Sequence, residues 1–285
     1  MENILSVKNL TKSYQRFKLD NVSFDIPRGS IMGFIGENGA GKTTTIKSIL
    51  NLIKKDSGTI TLLGKDNYEN DVKINESIGV VFDDNCFQET MTIKDINNIL
   101  KRIYKQWDEN TFYKFMDSFK LPEDKAIKGF SKGMKMKLSL AAAMSHHAKL
   151  LILDEATSGL DPISRDEILD IFLNFIQDEN NAILLSSHIT SDLDKIADYI
   201  TFIHEGKIVF SKSKDELSEN MGIVKCGAKA FNDIDKSHII RYRKNHYNYQ
   251  VLIDNRPEFM KYNKDTIVER CTVDDIMLFY VRGER

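Results

Sequence analysis

An α/β fold with an open sheet is the class this sequence predicts, and three stretches predict it. The apolar run Ile31 to Ile35 leads into the glycine-rich Gly36-Glu37-Asn38-Gly39-Ala40-Gly41-Lys42-Thr43-Thr44, and then into Thr45 to Leu50, whose apolar residues recur at helical spacing. A second apolar run, Leu150 to Leu153, ends in Asp154-Glu155, and a third, Ala182 to Leu185, runs into Ser186-Ser187-His188. Open α/β sheets carry their ligand sites at such C-terminal strand ends.

The first stretch has the chemistry of a phosphate cradle. A strand, a glycine-rich turn and a helix N-terminus let backbone N–H groups converge on phosphate oxygens, and the helix dipole adds partial positive charge. The spacing G-x-x-x-x-G-K-T supplies Lys42 for the β- and γ-phosphates and the Thr43 hydroxyl for Mg²⁺. Asp154 and Glu155 suit a division of labour, the first carboxylate holding Mg²⁺ and the second polarising water.

The composition is that of an ordinary globular protein, with 41% hydrophobic and 29% charged residues over 285 positions, enough chain for one large core or a core plus a smaller domain. A net charge of −2 gives no electrostatic reason for a nucleic-acid partner. Cys86, Cys226 and Cys271 are odd in number and unmatched in spacing, which suggests neither a disulfide framework nor a zinc site and fits a reducing cytosol. The start of the chain lacks a signal peptide's basic and apolar regions, and no apolar run is long enough to span a bilayer.

Taken in order, Ile4 to Val7, Val22 to Ile26 and Ile31 to Ile35 read as strands, with Pro27 to Ser30 as a turn and Tyr14 between the first two. A further strand, Thr59 to Leu63, is closed by Gly64, and Ile78 to Phe82 leads into Asp83-Asp84. Thr92 to Phe119 predicts a helical insertion that Pro122 ends, its apolar positions facing a core. Ser131 is placed as the N-cap of a helix through Met144, and Asp161-Pro162 opens another with proline at its first position.

This order of motifs resembles the ATP-binding subunit of an ABC transporter over residues 1 to about 215. Tyr14 matches the family's adenine-stacking aromatic, residues 36–44 its Walker A loop and 150–155 its Walker B strand. Phe130-Ser131-Lys132-Gly133-Met134 stands where the signature is, Ser158-Gly159-Leu160-Asp161 where the D-loop is, and His188 is the switch histidine. The resemblance implies a P-loop NTPase cassette with a RecA-like core, an antiparallel β subdomain and an α-helical subdomain at about 84–148. It implies a head-to-tail dimer, in which two ATP molecules lie between the phosphate loop of one copy and Ser131 with Gly133 of the other. Tyr14, Gly36, Asn38, Gly39, Ala40, Gly41, Lys42, Thr43, Thr44, Asp83, Ser131, Gly133 and Asp161 are then the nucleotide-binding residues. Thr43, Asp154 and Asp83 face Mg²⁺, while Lys42, Glu155 and His188 serve catalysis.

Two departures stand out. Asp83 occupies the Q-loop position where glutamine is usual, and Lys132 and Met134 replace the commoner glycine and glutamine of the signature. With the ending Thr272 to Glu284, they are similar to the type-2 exporters of low-GC Gram-positive bacteria, a subgroup of Ytr-type and bacitracin-type ATPases that also includes exporters of phenol-soluble modulins. The resemblance implies a polytopic permease as partner, peptide export, and a peripheral location on the cytoplasmic face of the membrane. The alternative is a soluble regulatory ATPase of the same superfamily acting on ribosomes or DNA; a single phosphate loop and no sustained heptads weigh against it. Residues 216–285 predict a small α+β accessory domain, with a hairpin from 239–242 and 249–253 and a closing helix capped by Thr272.

Overall fold

A computed structural model describes residues 2–66, 71–83, 86–245, 248–263 and 266–284. Asp84 and the middle of the 243–248 turn lie outside the described residues. Three sheets organise the described residues. The central one has six strands in the order Lys207–Ser213, Tyr199–His204, Ser30–Ile35, Ala182–Ser187, Leu150–Asp154 and Ile78–Phe82. All neighbours are parallel except the Tyr199–His204 and Lys207–Ser213 pair. The near-continuous apolar runs that define these strands are the mark of a sheet covered on both faces, and Ser30–Ile35, Leu150–Asp154 and Ala182–Ser187 are buried throughout.

The register decides what meets what. Phe82 pairs with Asp154, Asp154 with Ser186, Phe34 with Ser186 and Ile35 with Ser187. Four strands therefore end level, and the residues that follow them emerge along one sheet edge. An antiparallel sheet of Lys18–Pro27, Asn3–Ser13, Ser57–Leu62 and Lys65–Asp66 covers one side through a core of Leu5, Val22, Phe24, Phe34 and Ile46.

The predicted helical insertion over Thr92 to Phe119 consists of two helices, Ile93–Ile103 and Glu109–Ser118. Long-range bonds stop the first: the Lys105 N–H donates to Glu76 Oε1 at 2.9 Å, the Asp108 N–H to the Ser145 carbonyl at 2.8 Å, and Trp107 Nε1 to Asn97 Oδ1 at 2.8 Å. Asp108 then caps the second helix by accepting from the Thr111 N–H. With Lys132–Met144 these helices enclose Ile93, Ile96, Phe112, Met116 and Leu138. Ile99 and Ile103 do not face that core and are 41% and 61% exposed. They flank the buried stripe of Ile93 and Ile96 on the same apolar side of the helix, and helical spacing alone does not show where along that side the core stops.

The third sheet runs Ile239–Lys244, Tyr249–Ile253, Gly222–Cys226 and Val268–Arg270, and contains the predicted hairpin. The closing helix, Val273–Arg282, is entered through a capping box of Thr272 and Asp275. Its buried Val273, Ile276 and Phe279 share one apolar cluster with Leu193, Ile196, Ile200 and Phe202 of the main body.

Candidate nucleotide site

The phosphate loop leaves the end of Ser30–Ile35 and enters the helix Lys42–Ile49. Gly41 caps that helix at φ 118°, a conformation open to glycine and strained for L side chains. Gly36 is required for a different reason: a Cβ there would lie 2.4 Å from the Ile203 carbonyl oxygen and 2.9 Å from its Cγ2. Gly36→Ala is expected to destabilise the fold by about 1–3 kcal/mol, the usual cost of overpacking against backbone, and a denaturation midpoint equal to the wild type would contradict this.

Lys42 is buried, and its ammonium donates to the carbonyls of Gly36 at 2.7 Å and Glu37 at 3.3 Å, with Glu155 Oε1 at 3.5 Å. Folding the lysine back over its own loop places its charge where the loop N–H groups converge. Thr43 Oγ1 donates to Asp154 Oδ2 at 2.9 Å, so two residues separated by 111 positions meet at one sheet edge. Asp154 is itself buried, and its Oδ1 has no hydrogen-bond partner among the described residues. An oxygen of a buried carboxylate left open beside a threonine hydroxyl fits a Mg²⁺ that takes its remaining ligands from phosphate and water.

Glu155 has φ 57°, an uncommon backbone state for a residue with a side chain and one that clusters at functional sites. Its N–H donates to the Ser186 carbonyl of the neighbouring strand. Its carboxylate bridges two other candidates, with Oε2 2.5 Å from His188 Nδ1 and Oε1 facing Lys42. Two polar sets result, Lys42–Glu155–His188 and Thr43–Asp154, side by side because 42 and 43, and 154 and 155, are consecutive residues.

Tyr14 lies in the turn between the first two strands, half exposed, with Lys12 Nζ 5.7 Å from its ring centre. An open aromatic face suits stacking on a base. Removing such a stack typically costs about 1–3 kcal/mol, so Tyr14→Ala is expected to weaken ATP binding about tenfold by titration calorimetry; unchanged affinity would remove the ring from the site.

Ser131 caps the helix Lys132–Met144, accepting from the Met134 N–H at 3.2 Å, and Gly133 is buried against Ser164, whose Oγ would lie 2.7 Å from an added Cβ. Asp161 caps Pro162–Phe175, accepting from the N–H groups of Ile163 and Ser164, and those bonds, that to Ser164 foremost, hold its carboxyl below the usual range. Asp83 turns to the signature: its Oδ1 receives a 2.6 Å charge-assisted bond from Lys132 Nζ. Two of the three residues that depart from the family pattern, Asp83 and Lys132, are therefore partners of each other, which neither position reveals by itself. Both are nearly half exposed, a setting in which ion pairs contribute at most about 1 kcal/mol.

Several contacts here have no signal in the sequence. Arg165 donates to the Leu160 carbonyl at 3.3 Å and lies 4.0 Å from the fully buried carboxylate of Asp192, in the helix Thr190–Ile196 that follows His188. Thr190 and Asp274, 84 positions apart, are also bonded.

The ABC transporter family model matches residues 19–158. A bacitracin transport ATP-binding protein of Bacillus licheniformis is 35% identical over 77% of this chain and 72% of its own length. A lantibiotic transport ATP-binding protein of Streptococcus pyogenes is 36% identical over 76% of this chain and 94% of its own. A solved ATP-binding subunit of an ABC transporter superposes with a TM-score of 0.66 at 26% identity, covering 75% of this chain and 91% of that one. With the phosphate loop, the acidic strand end and the switch position gathered at one sheet edge, these likenesses identify the chain as a member of the ABC transporter family, one of its ATP-binding subunits.

Proposed function

We propose that this chain hydrolyses ATP as a dimer of two copies and drives a separate membrane permease that exports peptides or confers resistance to them. The observation that carries the catalytic reading is the Glu155 carboxylate, held between Lys42 and His188 beside the Thr43–Asp154 pair. In this reading Lys42 neutralises phosphate charge, Thr43 and Asp154 hold Mg²⁺, Glu155 takes the proton of the attacking water, and His188 contacts the γ-phosphate. Such transfers depend on positioning and charge stabilisation more than on covalent chemistry. Bound Mg²⁺ would supply further neutralisation of phosphate charge.

Residues 1–215 act as the cassette, with 84–148 as its helical part and 216–285 as the accessory part. Peptide export is supported by the names of the relatives, which handle bacitracin and a lantibiotic. Permease docking is supported by the exposed Ile99 and Ile103, and by a cavity of about 980 Å³ lined by Lys65, Val72, Glu76 and Lys105, the last just beyond the end of Ile93–Ile103. No helix among the described residues is long and apolar enough to cross a membrane. The subunit would sit on the cytoplasmic face.

Co-expression with the polytopic membrane protein encoded nearest to it, followed by detergent purification, tests the assignment. The expected result is a stoichiometric complex that Ile103→Asp disrupts. Recovery of the chain with ribosomes or DNA instead would favour the regulatory alternative.

A further inference from the structure

The helix Thr190–Ile196 begins two residues after His188, and its N-cap, Ile189, offers no side-chain hydrogen bond. It is tied down from elsewhere at both its first residue and its second turn. Thr190 Oγ1 donates to Asp274 Oδ1 at 3.0 Å, and the Val273 N–H donates to Asp194 Oδ1 at 3.3 Å. Both partners, Asp274 and Val273, belong to the first turn of the closing helix Val273–Arg282. Lys214 Nζ donates to the Asp194 carbonyl at 3.0 Å from the start of another C-terminal helix, Lys214–Asn220. Below the polar contacts, Leu193 and Ile196 pack in the same buried cluster as Val273, Ile276 and Phe279.

We infer that the C-terminal part of the chain positions the switch histidine, with the Thr190–Asp274 bond as the contact through which it acts. The inference rests on the reading of His188 as a γ-phosphate contact. Thr190 is only 7% exposed, so its hydroxyl exchanges its Asp274 partner for water with difficulty. Losing the bond frees the turn immediately after His188, while the phosphate loop, which binds ATP from the neighbouring strand, keeps its own contacts. Displacement of a reacting group by about 1 Å can cost up to ~10²-fold in rate. The effect therefore falls on kcat and spares KM. Thr190 and Asp274 are positioning residues, because neither touches the nucleotide in this scheme.

The test is a double-mutant cycle in the full chain. Asp274→Ala and Thr190→Val are each expected to lower kcat for ATP about tenfold, within the range for misplaced groups, with KM changed less than twofold. Thr190→Ser, which keeps the hydroxyl, retains wild-type kcat. In a His188→Ala background neither Asp274→Ala nor Thr190→Val lowers kcat further, since contacts acting through one residue are not additive. Full additivity in that background, or wild-type kcat in Asp274→Ala with an unchanged melting midpoint, overturns the inference alone. Normal turnover by His188→Ala overturns the histidine assignment and the inference with it. Thermal melts of every variant accompany the kinetics, and a loss of kcat that follows the midpoint across the set also counts against positioning.

Discussion

Glu155→Gln is expected to lower ATP turnover by about 10²–10⁴-fold, the usual contribution of a general base, while ATP binding persists. The substitution keeps the shape of a side chain whose backbone is already in an unusual conformation, at φ 57°. What it removes is basicity and charge. In the structure the Glu155 carboxylate is shared by His188 Nδ1 and Lys42 Nζ, so the amide also releases both partners toward phosphate. ATP should then hold two copies together without being consumed. Phosphate release measured beside ATP-dependent gel filtration checks both halves. Near-normal turnover would remove Glu155 from the role of base, and slow turnover with no ATP-induced dimer would separate catalysis from association.

Ser131→Arg is expected to abolish hydrolysis by about 10²-fold or more, the scale for losing a group that stabilises transition-state charge, and to act across the dimer. Ser131 stands at the N-terminus of Lys132–Met144, where its hydroxyl holds the Met134 N–H. An arginine there loses the cap and projects a long cation toward whatever faces that helix end. If the facing group is the phosphate loop of a second copy, distribution of the changes matters. In heterodimers isolated through two different affinity tags, a Ser131→Arg chain paired with a Lys42→Ala chain rebuilds one intact composite site and should regain activity. A chain carrying both changes, paired with a wild-type chain in the same way, spoils one half of each composite site and should not. A silent first heterodimer beside an active second would rule out sharing in trans.

Local patterns carried much of the fold. A strand, glycine-rich turn and helix at 31–50 were legible because burial on both faces makes a strand continuously apolar, while the glycines have only a few physical uses. The N-caps at Ser131, Asp161 and Thr272 were legible because a capping side chain bonds within three residues of itself. The break at Tyr104 to Asp108 was not. Its causes are Glu76, Asn97 and Ser145, brought together only when the helices pack.

The same division runs through the site. By itself the sequence determined which residues could bind phosphate, hold a cation and take a proton, because each depends on a residue type at a strand or helix end. Tertiary structure alone decided their mutual contacts. Level strand ends set Thr43 against Asp154 and Glu155 between Lys42 and His188, and a one-residue change in register would turn Asp154 to the other face of the sheet. It also decided that Asp83 is held by Lys132 and that Thr190 is held by Asp274. Those bonds join residues 49 and 84 positions apart, and no local periodicity records a pairing between surfaces that meet only after the core has formed.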